Sequence, residues 1–148
     1  MLTNKNILTL LHLPRVGRAT VKKISNSTDN ALESTDDYLS VLLKSTSPKI
    51  FEKIVTEDIL VAQRLADEIC KNCEEYKITM ISFIDEEFPC QLNNIPDAPV
   101  ILFGKGDISI LKSKITIAVI GTRKPTEYGI EKAREIGLCL AEKNIPLI

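Results

Sequence analysis

The sequence has 148 residues, of which 44% are hydrophobic and 26% are charged, and its 19 basic side chains nearly balance 20 acidic ones. These proportions are typical of a globular protein and exclude a disordered tail, a collagen-like repeat and a low-complexity linker. No apolar run approaches the roughly 20 residues of a membrane-spanning helix, and the N-terminus has no secretory signal pattern. We therefore expect a cytoplasmic protein without a membrane role.

Positive charge is concentrated at the N-terminus. Residues 1–30 contain five Lys and Arg side chains and one acid, whereas residues 31–75 contain five basic and ten acidic side chains. A local excess of about four positive charges favours a polyanionic partner such as nucleic acid. The alternative is that these side chains only solubilise the surface.

The first half of the chain is predicted to be helical. The apolar pattern of residues 5–25 predicts two short helices around a tight turn. A second helical pair is predicted over residues 36–54, where Ser47 can cap a helix that begins at Pro48.

Residues 57–76 give the clearest helical pattern, with Thr56 as the predicted cap. One apolar stripe runs along this helix and indicates a face that packs on a core. The stripe is formed by Ile59, Ala62, Ala66, Ile69, Cys73 and Tyr76.

The pattern changes near residue 78, where we place a domain boundary between residues 1–77 and 78–148. Strands are predicted at residues 78–83, 100–103 and 114–120, a helix at 127–143, and a further strand from Pro146. Strand, helix and strand in succession predict a βαβ unit with a parallel sheet. Because the last strand has only begun when the sequence ends, we expect the chain to be part of a longer protein.

Catalytic and metal-binding patterns are weak. Cys70 and Cys73 form a C-x-x-C pair, but a zinc site needs a second pair of ligands, so we expect buried or half-buried helix cysteines and no metal. His12 is the only histidine and has no nucleophile in a recognisable motif. These patterns therefore predict no catalytic group and no bound cofactor.

The first candidate site is the loop Gly121–Lys124, which joins a predicted buried strand to a helix. Ligands bind at the carboxyl ends of strands in open α/β sheets, and a helix N-terminus suits a phosphate. Gly121 permits close approach, Thr122 offers a hydroxyl, and Arg123 and Lys124 offer positive charge. Tyr128 can stack on a base. The alternative is a turn whose charges only face solvent.

The second candidate site is the turn and helix that contain Arg15, Gly17, Arg18 and Lys22. This segment is similar to helix-hairpin-helix modules, which bind the nucleic acid backbone without sequence preference. Pro14 stands where such a hairpin usually has its first glycine. A plain helical hairpin with a basic face is the alternative.

From Phe88 onward, two groups of residues form one pattern. The first group consists of Phe88-Pro89, Leu92, Ile95, Asp97, Pro99, Leu102-Phe103 and Gly106-Asp107. The second group is the run Ile117 to Gly129, with an apolar strand, Gly-Thr-Arg and Tyr-Gly. In this order and at this spacing, the two groups resemble the DNA-processing protein A (DprA/Smf) family, and the second group resembles the opening of its Rossmann-like domain. Residues 1–77 resemble the family's SAM-like or helix-hairpin-helix extension.

This resemblance implies a fold that is α/β overall, with an all-α domain in residues 1–77 and the start of a Rossmann-like parallel α/β domain in residues 78–148. It also implies a non-enzymatic protein that binds single-stranded DNA, through the arginine that corresponds to Arg123, and loads the RecA recombinase during natural transformation. Family members form homodimers. The family's dimer and RecA contacts lie mostly beyond the matched segment, so we expect this chain to lack them.

The alternatives to a DNA-binding function are a nucleotide-processing Rossmann-like hydrolase and a protein-interaction domain. Rossmann-like nucleotide hydrolases need a Pro-Gly-Gly-x-Gly-Thr loop, which this sequence lacks. In the protein-interaction hypothesis, residues 1–77 bind a protein and do not contact DNA.

Overall fold

The computed structural model describes residues 2–26, 48–113 and 115–147, and it confirms a mixed α/β composition. Five α-helices lie in these ranges: α1 (Asn4–His12), α2 (Arg18–Asn26), α3 (Pro48–Phe51), α4 (Thr56–Glu75) and α5 (Glu127–Glu142). Two strands, β1 (Ile78–Ser82) and β2 (Ile101–Lys105), form an antiparallel sheet. Short 3₁₀ helices span Cys90–Asn94 and Ile108–Lys112.

The chain divides into two compact units, Met1–Ile108 and Ser109–Ile148. Strand β1 contacts α1 and α4 in the first unit, and β2 pairs with β1. Val100, directly before β2, is buried in the same core as the helices. The domain boundary near residue 77, which rests on a change in sequence character, stays a prediction.

The core of the first unit is built around α1. Thr3 caps this helix, since its Oγ1 accepts the Asn6 backbone N–H at 3.2 Å while the Asn6 side chain accepts the Thr3 N–H at 3.3 Å. Ile7 and Leu10 are fully buried in a cluster with Val21 and Ile24 of α2. Helix α1 thus has the apolar face that the sequence predicts.

The predicted two-helix hairpin is present, and its turn is held in the core by Leu13 and Val16, which are both buried. The chain reverses through Arg15, whose φ of 66° lies in the left-handed region. That conformation is unfavourable for residues other than glycine or asparagine. Gly17 lacks a positive φ, so the hairpin places its conformational strain on an arginine.

Helix α4 matches the predicted helix within one residue at each end. Its buried residues Ala62, Ala66 and Cys73 belong to the predicted stripe, whereas Tyr76 is 56% exposed. The prediction that Thr56 caps the helix is wrong. Thr56 is already helical, and the Asp58 carboxylate accepts the Val55 backbone N–H at 3.0 Å instead.

The antiparallel sheet pairs Ile78 with Lys105 and Ser82 with Ile101. The chain turns sharply after β1, where the Asp85 carboxylate accepts hydrogen bonds from the backbone N–H and hydroxyl of the buried Ser82 at 2.7 and 2.9 Å. Asn4 of α1 donates its side-chain N–H to the Met80 carbonyl at 3.1 Å. The Asn4 bond attaches the sheet to α1.

The second unit contains α5 and one parallel β-bridge between Ile117 and Leu147. The Ile117 N–H donates to the Pro146 carbonyl at 3.1 Å. The predicted strand over residues 114–120 is therefore reduced to a single bridge within residues 115–147. Its parallel direction agrees with the βαβ pattern, and the Rossmann-like domain itself stays a prediction.

Two further predictions concern the helices: a second helical pair and the lack of a membrane-spanning segment. The helical pair predicted over residues 36–54 is represented by α3, and its part before Pro48 lies outside the described residues. None of the helices that the structure describes combines the length and the apolar character needed to cross a bilayer.

The central position of Leu10 generates a stability prediction. Leu10→Ala removes a fully buried side chain and leaves a cavity, so the free energy of unfolding should fall by about 2–5 kcal/mol. Leu60→Ala is the matched control, because Leu60 is partly exposed and its truncation should cost less than about 1 kcal/mol. Denaturant titration measures both values, and equal losses would contradict the assigned core.

Gly104 generates a second prediction, since a Cβ atom there would lie 2.8 Å from Cγ2 of Ile108. Gly104→Ala should lower the unfolding free energy by about 1–3 kcal/mol through overpacking. Ile108→Ala removes the clashing methyl, so the double variant should be more stable than the two single losses predict. Additive losses in the same denaturant titration would rule out this close approach.

Candidate nucleic-acid interface

The loop Gly121–Lys124 lies in the second unit, between the β-bridge at Ile117 and the start of α5. All four of its side-chain positions are exposed. The Thr122 hydroxyl accepts the Lys124 backbone N–H at 3.3 Å, which turns the chain within the loop. A Cβ atom added at Gly121 would meet nothing within 4 Å, so the surface beside this residue is open to a ligand.

Helix α5 begins directly after this loop because Thr126 caps it. The Thr126 Oγ1 accepts the Gly129 N–H at 3.2 Å, and its backbone carbonyl accepts the Ile130 N–H at 3.0 Å. The positive end of the helix dipole therefore faces the loop. Sequence reasoning placed the helix correctly but missed the cap, which a threonine immediately before an acidic first turn signals.

Arg123 and Lys124 supply the charge of the loop. Neither side chain forms an ion pair with another described residue. The Arg123 guanidinium can therefore bind a phosphate without first breaking an ion pair of the described structure. This is the chemistry that the sequence predicts for the loop.

Tyr128 is the second residue of α5 and is 69% exposed. The Lys132 Nζ lies over its ring, 5.9 Å from the centroid, and forms an ion pair with the Glu135 Oε2 at 2.6 Å. Sequence reasoning missed Lys132, although its spacing of four residues from Tyr128 places both on one helix face. The start of α5 thus presents an aromatic ring beside a cation.

The second candidate set lies in the first unit, on the hairpin turn and α2. Arg15 and Gly17 are exposed in the turn, and Lys22 is half-buried. Arg18 contacts the loop before β2: its Nη2 lies 2.8 Å from the Asp97 Oδ2, and its Nη1 donates to the Asp97 carbonyl at 2.9 Å. The structure thus holds Arg18 with a carboxylate that the sequence pattern does not connect to it.

Cys70, Cys73 and His12, the other side chains that the sequence analysis weighs as reactive groups, lie within helices. Cys70 is half-buried and Cys73 is buried, as predicted, and burial followed by the nearby Asp67 charge raises the pKa of the Cys70 thiol. The His12 Nδ1 lies at hydrogen-bonding distance, 2.8 Å, from the Leu8 carbonyl oxygen. Within the described ranges, no three metal-binding side chains gather into a cluster.

Comparison with known proteins bears on the segment that contains the loop. Residues 79–148 match the model of the family described as DNA recombination-mediator protein A. The DNA processing protein DprA of Bacillus subtilis is 34% identical over 94 residues, which cover 57% of this chain and 31% of that protein. The DprA of Streptococcus pneumoniae is 35% identical over 63 residues, which cover 43% of this chain and 22% of that protein.

A solved structure supports the same relationship. The X-ray structure of DprA from Streptococcus pneumoniae aligns with a TM-score of 0.55 and 25% identity, and the alignment covers 87% of this chain and 42% of that one. The chain thus spans less than half the length of the relatives it matches. The family match over residues 79–148, the two curated relatives and the similar fold agree, and together they support a fragment of the DNA recombination-mediator protein A family.

Proposed function

We propose that this chain is the single-stranded-DNA-binding N-terminal part of a recombination mediator that acts in DNA processing. The observation that carries the proposal is the exposed Arg123, which forms no ion pair with any residue that the structure describes and lies in the loop before α5, within the family-matched segment. The family relationship supports a DNA-related role. The proposed role is binding rather than catalysis, because the loop offers charge and hydrogen-bond donors to a phosphate.

The loop suits a phosphate for two physical reasons. The guanidinium of Arg123 is planar and can donate two parallel hydrogen bonds to phosphate oxygens, and Lys124 adds a second charge. The dipole of α5 adds a positive potential at the same place. Because these groups address the sugar-phosphate backbone, we expect binding without sequence preference.

Tyr128 distinguishes a single strand from a duplex in this proposal. Unpaired bases expose their faces and can stack on an aromatic ring, whereas paired bases are stacked on one another. Tyr128 is exposed and is close in sequence to Arg123. We propose that it stacks on a base whose neighbouring phosphate is bound by the loop.

The remaining expectations about partners and domains are part of the same proposal. We propose that Arg15, Gly17, Arg18 and Lys22 form a second, weaker backbone contact in a SAM-like or helix-hairpin-helix domain of residues 1–77. Residues 78–148 would then begin a Rossmann-like domain. RecA and a second copy of the protein are proposed partners of the whole protein.

Arg123→Ala tests the role of the loop. Loss of one phosphate contact should weaken the binding of a labelled oligo-deoxythymidine about tenfold at low salt and lower the salt slope by about 0.7. Arg134→Ala is the control, since it removes the same charge from an exposed position of α5. Fluorescence anisotropy across a salt series gives both quantities. Equal effects of the two substitutions would refute a specific role for Arg123.

Substitutions of Tyr128 test base stacking. Tyr128→Ala should cost about 1–3 kcal/mol of binding free energy, whereas Tyr128→Phe should keep most of the affinity because the ring remains. The loss should disappear on an abasic oligonucleotide of the same length, which has phosphates but no bases. A loss of equal size on abasic DNA would show that Tyr128 acts in some other way.

A further inference from the structure

The ion pair between Arg18 and Asp97 joins two parts of the first unit that lie 79 residues apart in sequence. Arg18 is the first residue of α2, and Asp97 lies in the loop before β2. The guanidinium contacts Asp97 twice, through the side-chain Oδ2 at 2.8 Å and the backbone carbonyl at 2.9 Å. Two nitrogen atoms of the Arg18 guanidinium, Nη1 and Nη2, are therefore bound by Asp97.

These contacts use the part of Arg18 that would bind a phosphate. A guanidinium presents its N–H groups as a fork that accepts either a carboxylate or a phosphate, so the two anions compete for the same donors. Asp97 thus stands where a phosphate oxygen would stand. The charge of Arg18 is neutralised as long as the carboxylate stays in place.

The neighbouring cations of the hairpin have no such partner. Arg15 and Lys22 form no ion pair within the described part of the chain. Lys22 follows Arg18 by four residues and so lies on the same face of α2. Among Arg15, Arg18 and Lys22, which we call the hairpin cations, Arg18 is the one whose charge is already satisfied.

We propose that Asp97 is an intramolecular competitor for the nucleic acid backbone, which limits the affinity of the hairpin cations for single-stranded DNA by occupying Arg18. When a phosphate displaces the carboxylate, Arg18 becomes a third contact beside Arg15 and Lys22. This inference rests on the proposed function, because it assigns a regulatory contact to the second of its two DNA-binding surfaces.

The exposure of the pair makes the exchange feasible. The side chains of Arg18 and Asp97 are 46% and 78% exposed, so water screens their attraction and stabilises both ions when they separate. Exposed pairs of this kind are weak. Because DNA must first displace the Asp97 carboxylate, the ion pair should lower DNA affinity by only about two- to fivefold. A backbone that offers several phosphates can overcome this cost.

Asp97→Asn is the central test. It removes the competing charge and keeps the backbone carbonyl that positions the guanidinium. The full chain should bind a labelled oligo-deoxythymidine about two- to fivefold more tightly, and the salt slope should rise by about 0.7, the value for one more phosphate contact. Asp97→Ala should give the same result, which provides a second variant if the asparagine changes the turn.

Two controls separate this mechanism from a general change of charge. Glu86→Gln removes one acid from an exposed position of the same unit and should leave the salt slope unchanged. Arg18→Ala should abolish the rise in slope caused by Asp97→Asn, because the freed guanidinium is then missing. The salt series should include physiological salt, where charges further apart than about 8 Å are screened.

The outcomes identify which proposal fails. A rise in affinity and slope that depends on Arg18 supports the competition. An unchanged slope in Asp97→Asn, or an equal rise in the Arg18→Ala background, overturns it. Arg123→Ala is measured in parallel: if it weakens binding while Asp97→Asn has no effect, the proposed function stands and only the competition is wrong. If the unsubstituted chain does not bind the oligonucleotide, the proposed function itself is wrong.

Discussion

Burial of one face of α1 is the interaction on which the first unit depends. Ile7 and Leu10 are fully excluded from water and contact a cluster that contains residues of α2, α4 and the segment before β2. Each such side chain contributes about 1.5–3 kcal/mol of hydrophobic free energy. The same helix reaches the sheet through Asn4, whose side chain bonds to the Met80 carbonyl. The hairpin, the long helix and the sheet therefore share one core.

This common core also determines the setting of the hairpin cations. The turn between α1 and α2 is fixed by buried Leu13 and Val16, which leaves Arg15 on the surface in a left-handed conformation. Because the loop before β2 packs with the same helices, Asp97 comes within reach of Arg18. The contact is thus a consequence of packing that neither segment specifies alone.

Local signals in the sequence predicted the helices well, whereas the site itself stays a prediction. Helix α4 was predicted because apolar residues recur along its length every three or four positions. That spacing places them on one face of a helix. The strand over residues 114–120 was predicted from composition, but among the described residues it forms one bridge, at Ile117. A strand depends on the hydrogen bonds of a neighbour, and no pattern within the strand says whether that neighbour is present. The exposure of Arg123 and Lys124 agrees with the predicted loop.

The two arginines of the candidate sites show where sequence reasoning reaches its limit. Arg18 and Arg123 both stand in basic segments near a helix N-terminus, so sequence analysis gives them the same chemistry. The structure separates them, since Asp97 pairs with Arg18 and no described residue pairs with Arg123. A guanidinium that must first leave a carboxylate binds a phosphate less tightly than an unpaired one, other contacts being equal. In the proposed function, the loop before α5 is therefore the stronger of the two phosphate sites, and the hairpin is the site whose affinity Asp97 is proposed to limit.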